Sequence, residues 1–206
     1  MSIFSTLSQK PWMADQAAID NNHIGQAVSM PLPRVALYVL MAVIGVLFSL
    51  FSVAYIGRMA YGDWRTLPEP TLLWLNTAVI MLSSISFHQA TKNAKENQIK
   101  RSREYLLLSG VLTFGFIVGQ LFVWRELVSF GYFASTNPSY AFFYLLTALH
   151  ILHLAGGLIA WTVVTIKSFI PQKETSDFAL KVNLCAVYWH FLLIVWALLF
   201  TMLLLT

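Results

Sequence analysis

The chain has 206 residues, 58% of them hydrophobic and 11% charged, with a formal charge of +4 at pH 7. So low a charged fraction excludes an ordinary soluble domain, and spanning segments consume most of the length. In a membrane protein a basic excess serves orientation and contact with anionic lipid, so no nucleic-acid partner is read from it. The single cysteine, Cys185, excludes an internal disulfide.

Residues 1–34 read as a polar cytoplasmic tail, ended by Pro31 and Pro33. It lacks the apolar core of a cleavable signal peptide, so the first helix is expected to insert as its own signal. Residues 35–206 read as one domain of five membrane helices. Helix one is expected over Val35–Ile56, without charge. A loop with Arg58, Asp63, Trp64 and Arg65 follows. Helix two covers roughly Thr71–Ala90 and carries Asn76, Ser83, Ser84, Ser86 and His88.

A basic loop, TKNAKENQIKRSRE, leads to helix three over Tyr105–Val128, with Gly115 and Gly119 at GxxxG spacing. Helix four is expected over Tyr140–Ile170 and helix five over Val182–Leu205. About 20 apolar residues cross a bilayer core, and each segment is long enough. With the N-terminus inside, ten Lys and Arg fall inside and three (Arg58, Arg65, Arg125) outside, which argues for N-in, C-out.

His150 and His153 stand i, i+3 near the middle of helix four, on a face that Gly157 and Trp161 continue. With His190 and His88 they could be imagined as a haem or metal site, since imidazole is a common ligand. A ligand set needs carboxylate or carbonyl support, and no Asp or Glu lies inside the spans away from their ends. Ser83, Ser84 and Ser86 sit in no GxSxG-type turn, and nucleophile systems need a supported base. A transporter would show broken helices or ionisable residues within the spans; here only histidines qualify. Gly115-xxx-Gly119 and Gly156-xxx-Ala160 suit close helix packing. The residues alone therefore indicate an all-α five-helix bundle, poor in catalytic equipment: a non-catalytic subunit of a larger membrane complex.

Particular motifs carry this further. LTALHILHLAGGL, with Thr147, His150, His153 and Gly157, resembles the T-x-x-H-x-x-H-x-x-x-G segment of subunit III of haem-copper terminal oxidases. YWHFLLIVW resembles that family's last-helix motif at Tyr188, Trp189, His190, Phe191 and Trp196. LNTAVIMLSS, with Asn76, is similar to its LNT-plus-serine helix. GQLFVW, with Gln120 and Trp124, resembles its Q-x-x-E-[WY] element. Order and spacing agree across residues 35–206, and five helices match the short bacterial form, which lacks the first two helices of the seven-helix version.

The resemblance implies an accessory subunit in the inner membrane of a bacterium. It implies no haem or copper in this chain; both are expected in the partner subunits. Subunit I, which reduces dioxygen to water and pumps protons, is the main implied contact, with subunit II and a small subunit IV further partners. The resemblance also implies bound phospholipid in a cleft between helices. His150, His153 and His190 would be structural contacts, as would Gly156 and Gly157. Three family carboxyls are absent: Ile44 or Gly45, Val123 and Leu193 stand in their places. These departures raise a second assignment, an accessory protein of another haem-copper enzyme such as a nitric oxide reductase. A small di-histidine cytochrome is the third. The purified chain alone is expected to show no Soret band; a band lost on His153→Ala would establish the cytochrome instead.

Overall fold

A computed structural model describes residues 31–68, 70–169 and 175–205, so the expected tail over residues 1–30 lies outside the described residues. Among the described residues five helices follow one another: α1 Leu32–Met59, α2 Leu72–Lys95, α3 Ile99–Ser129, α4 Pro138–Lys167 and α5 Thr175–Leu204. Among the described residues there is no strand. The chain divides into a unit Met1–Ala36, whose described part is the opening of α1, and a unit Leu37–Thr206 that carries the rest.

Four of the five helices, α1, α3, α4 and α5, are long and apolar enough to cross a membrane by length and composition. The second expected span differs. At 24 residues α2 is about 36 Å long, but its polar content keeps it below that standard. The physical reason lies in where its polar groups go. Asn76, Ser83, Ser84, Ser86, Thr91 and Asn93 are all buried against other helices, while Met81, Leu82 and Ile85 face outward. What α2 shows its surroundings is apolar even though its composition is mixed. The molecule is a multi-pass, all-α membrane bundle.

α2 packs against α3 and α5, and α4 closes the group against α3 and α5. α1 is the least enclosed, with 17% of its apolar window buried against 33–39% in α3, α4 and α5. It is held through Ile44, Phe48 and Tyr55. Phe48 meets the rings of His150 and His153, and Tyr55 those of Trp64 and Phe142.

Most helices run past the apolar stretches that announced them. α1 begins at Leu32 rather than Val35, with Pro33 in its first turn, where a missing N–H costs nothing. The basic stretch expected as a loop is mostly helix, because charged side chains at the bilayer edge do not stop helix propagation. Only three residues, Glu96–Gln98, separate α2 from α3. Asn97 takes a left-handed φ of 59°. Asn97 N–H then donates to Ala94 O and Gln98 N–H to Asn93 O, closing a Schellman turn. Ser102 Oγ donates to Ala90 O at 2.9 Å across this hairpin. α3 ends the same way at Gly131, φ 85°.

α4 starts on an Asn137 cap that accepts from Ser139 N–H at 3.0 Å, with Pro138 first in the helix. Asn137 Nδ2 also donates to Asp63 O, tying the α1–α2 loop to α4. At the opposite end Arg103 donates to Ser168 O, placing a cation on the carbonyl end of α4. From the last turn of α1 the Arg58 guanidinium donates to both oxygens of Asp63 in the α1–α2 loop and holds that carboxyl below its ordinary pKa.

Of the glycines at the expected packing spacing only Gly119 marks a close helix approach, and Gly110 and Gly157 mark two more. Gly115 and Gly156 face open space. A Cβ on Gly119 would sit 2.0 Å from Asn76 Oδ1, one on Gly110 2.0 Å from Trp161 Cζ2, and one on Gly157 2.8 Å from Tyr188 Cε1. Gly110→Ala is therefore expected to lower stability in detergent by about 1–3 kcal/mol through overpacking. Gly115→Ala should leave the thermal midpoint unchanged or slightly raised. Equal midpoints for the two variants would refute this packing.

Candidate functional site

The site is a polar seam through the interior of the bundle. It is built from indole and hydroxyl groups carried inward on neighbouring helices. Trp189 Nε1 of α5 donates to Thr113 Oγ1 of α3 at 2.9 Å. Trp196 Nε1, two turns further along α5, donates to Thr77 Oγ1 of α2 at 3.0 Å. Trp124 of α3 donates to Thr147 Oγ1 of α4 at 3.1 Å, and Trp161 of α4 to Leu106 O of α3 at 2.9 Å. Each indole thus bridges two helices. The threonines can accept because each hydroxyl proton is already given to a carbonyl of its own helix: Leu73 O, Ser109 O or Phe143 O. Ser83 Oγ lies 2.8 Å from Thr113 Oγ1 and reaches Ser109 O, joining α2 to the same knot.

The sequence-predicted residues divide among distinct places. Asn76 Nδ2 reaches Gln120 Oε1 at 3.4 Å, over the gap that Gly119 leaves. Gly157 gives room to the rings of Tyr188 and Trp189, whereas Gly156 is exposed on the outer face of α4. His150 is fully buried among Phe48, Phe116 and Trp196, its ring centroid 5.2 Å from that of Trp196. Neither of its nitrogens has a hydrogen-bond partner. His153 is half-buried; its Nδ1–H donates to Leu149 O at 2.7 Å, and its own carbonyl accepts from Tyr188 Oη. The i, i+3 pair therefore shares Phe48 but is otherwise held by different partners.

His190 lies away from both. Its Nδ1 is 2.5 Å from Ser84 Oγ, and its ring is 6.3 Å from that of His88. Among the described residues no three His, Cys, Asp or Glu side chains converge as a metal would require. Cys185 is buried and free. At the positions where the resemblance led to the expectation of a carboxyl, Ile44 (or its neighbour Gly45), Val123 and Leu193, the Ile44 and Val123 side chains are buried in the apolar core and Leu193 packs against it.

Sequence reading missed the acceptors. Thr77 and Thr113 passed as ordinary helix residues, and Thr147 was named as part of a motif but not as an acceptor. Their signal was that every buried indole needs a partner when water is absent. Thr113→Val keeps the shape and removes the acceptor of Trp189. It is expected to cost about 1–3 kcal/mol, because a buried N–H is left unpaired. Thr162→Val, which removes only an exposed bond within α4, should stay within about 0.5 kcal/mol. Denaturation in detergent measures both, and equal effects would contradict the seam.

Comparison with known proteins places this arrangement in a family. The family model described as cytochrome c oxidase subunit III matches residues 64–205. The chain is 31% identical over 162 residues to "Probable cytochrome c oxidase subunit 3" of Mycobacterium tuberculosis (strain ATCC 25618 / H37Rv), covering 74% of this chain and 76% of that one. It is 31% identical over 153 residues to the protein of the same name in Nocardia farcinica (strain IFM 10152), covering 71% and 74%. It is also 27% identical over 159 residues to "Cytochrome c oxidase subunit 3" of Thermostichus vulcanus, covering 75% and 77%. The matched region begins in the α1–α2 loop and takes in the whole seam of α2–α5, and the chain belongs to the cytochrome c oxidase subunit III family.

Proposed function

We propose that the chain is the non-catalytic subunit III of a respiratory haem-copper terminal oxidase in a bacterial inner membrane. Dioxygen reduction to water and proton pumping belong to subunit I, which also carries the haem and copper. Subunit I is the main contact of this chain, with subunit II and a small subunit IV further partners. Its N-terminus lies on the cytoplasmic side, following the distribution of Lys and Arg. Residues 1–34 are then a cytoplasmic tail and residues 35–206 the membrane domain.

The observation that carries the reading is the direction of the polar side chains. The conspicuous interior residues, Asn76, Gln120, Trp124, Trp189 and Trp196, are engaged helix to helix, and His150 is enclosed by aromatic rings. Groups spent in this way fix a scaffold and are not free to act on a substrate. His153, His190 and Gly157 take the same structural role.

The outer surface is apolar on all five helices, as both lipid and a partner subunit require. A cleft of about 720 Å³ between α1 and α5 is lined by Gly45, Phe48, Ile56, Phe191, Leu198 and Met202 among others. Its volume and apolar walls fit phospholipid acyl chains. With Ile44 and Leu193 in place of acids, the polar contribution to such a cleft comes from Ser49, Ser52 and Thr201. All three already hydrogen-bond carbonyls of their own helices.

Purification of the tagged chain in mild detergent is expected to bring down a larger haem-containing membrane protein, identified by mass spectrometry and a Soret band in the complex. A monodisperse, partner-free, haem-free chain would overturn the proposal. Recovery of a nitric-oxide-reducing partner would replace the oxidase with that enzyme.

A further inference from the structure

A second recess, of about 320 Å³, opens between α2 and α5 at the end of the bundle where the α2–α3 turn lies. Its lining is built by spacing. α2 contributes His88, Thr91, Lys92 and Lys95, at i, i+3, i+4 and i+7. α5 contributes Asn183, Ala186, Val187 and His190 at the same intervals. Two antiparallel helices thus turn matching stripes toward one another, and small Ala186 leaves the gap between them.

The chemistry of the lining is one-sided. Among the described residues every ionisable group in it is a base, and no carboxylate lines it. Among the described residues neither Lys92 nor Lys95 has an ion-pair partner. The nearby acids are otherwise placed. Asp177 is paired with Lys181, and Glu96 and Glu104 line a separate recess on the other flank of α2, which shares only Lys92. Two lysines, two imidazoles and a carboxamide around one gap form a set of donors for anionic oxygens, while the Thr91 hydroxyl proton is already given to Phe87 O.

What lies beside the recess selects the source of the anion. From His88 the same stripe of α2 runs toward mid-membrane through Ile85 and Met81, at i−3 and i−7. These residues are 57% and 50% exposed. A basic head with an apolar track leading away from it matches an amphiphile, since basic pockets between membrane helices bind acidic lipid headgroups.

We propose that this recess binds an anionic phosphate group, and that the phosphate belongs to the headgroup of an acidic phospholipid whose chains follow the α2 stripe. The site is separate from the α1–α5 cleft and stands on the groove's own chemistry, whatever enzyme the chain serves.

The test uses the full chain with the partners it retains in mild detergent. Phosphatidylglycerol and phosphatidylcholine are titrated separately and bound lipid is counted by native mass spectrometry. Phosphatidylglycerol is expected to bind more tightly, and Lys92→Gln with Lys95→Gln should lower its affinity by roughly thirtyfold while leaving phosphatidylcholine unchanged. Lys100→Gln with Arg101→Gln removes equal charge outside the recess and should retain the preference. If both double variants lose it alike, general surface charge explains the binding and the site is overturned. Inorganic phosphate, followed by ³¹P line broadening, separates the sources. Broadening abolished by the Lys92/Lys95 variant, without a phosphatidylglycerol preference, keeps the anion site and overturns the lipid as its occupant. No effect of that variant on either probe overturns the whole proposal.

Discussion

A bilayer interior supplies no water to an unpaired N–H, so each polar group placed there must be satisfied by the protein itself. This chain meets that constraint largely with tryptophan. An indole delivers a large apolar surface and one directional donor. In Trp124, Trp161, Trp189 and Trp196 the surface fills the interior while the donor reaches a neighbouring helix. The acceptors are threonines or a carbonyl, and the threonines carry no charge to desolvate. The bundle is thereby fixed in rotation and depth: sliding one helix by a turn would strand several indoles at once.

The other interior features follow from this arrangement. Glycines are needed where an indole or amide must pass close to a backbone, at Gly110 under Trp161 and at Gly119 beside Asn76. Histidine occupies a place among the rings. The His150 imidazole lies against Phe48, Phe116 and Trp196 with both nitrogens unpaired, a cost that the network around it must offset. Ile44 and Val123 fill the core, and among the described residues no Asp or Glu is buried in it.

The five helices were legible because hydrophobic length is a local property, and bilayer thickness sets its scale. Their ends were not, because helix continues into charged sequence at the membrane edge, as at Lys92–Lys95 and Ile99–Arg103. α2 shows why composition alone undercounts spans: its hydroxyls and amides point inward, and only the packed neighbours reveal that. The glycine spacing named a motif but not a face, so Gly115 and Gly156 looked equivalent to Gly119 and Gly157. The pairing of Ser84 with His190, 106 residues apart, depends on α2 lying against α5. No local pattern carries that. The family motifs succeeded because they mark residues with such distant obligations.

The central claim is that the indole donors are locked between helices. Hydrogen exchange of the tryptophan indole protons, followed by NMR of the chain in lipid nanodiscs, measures it directly. The protons of Trp189 and Trp196 are expected to exchange far more slowly than that of Trp74, which is 56% exposed at the start of α2. Exchange at Trp189 and Trp196 as fast as at Trp74 would contradict the account.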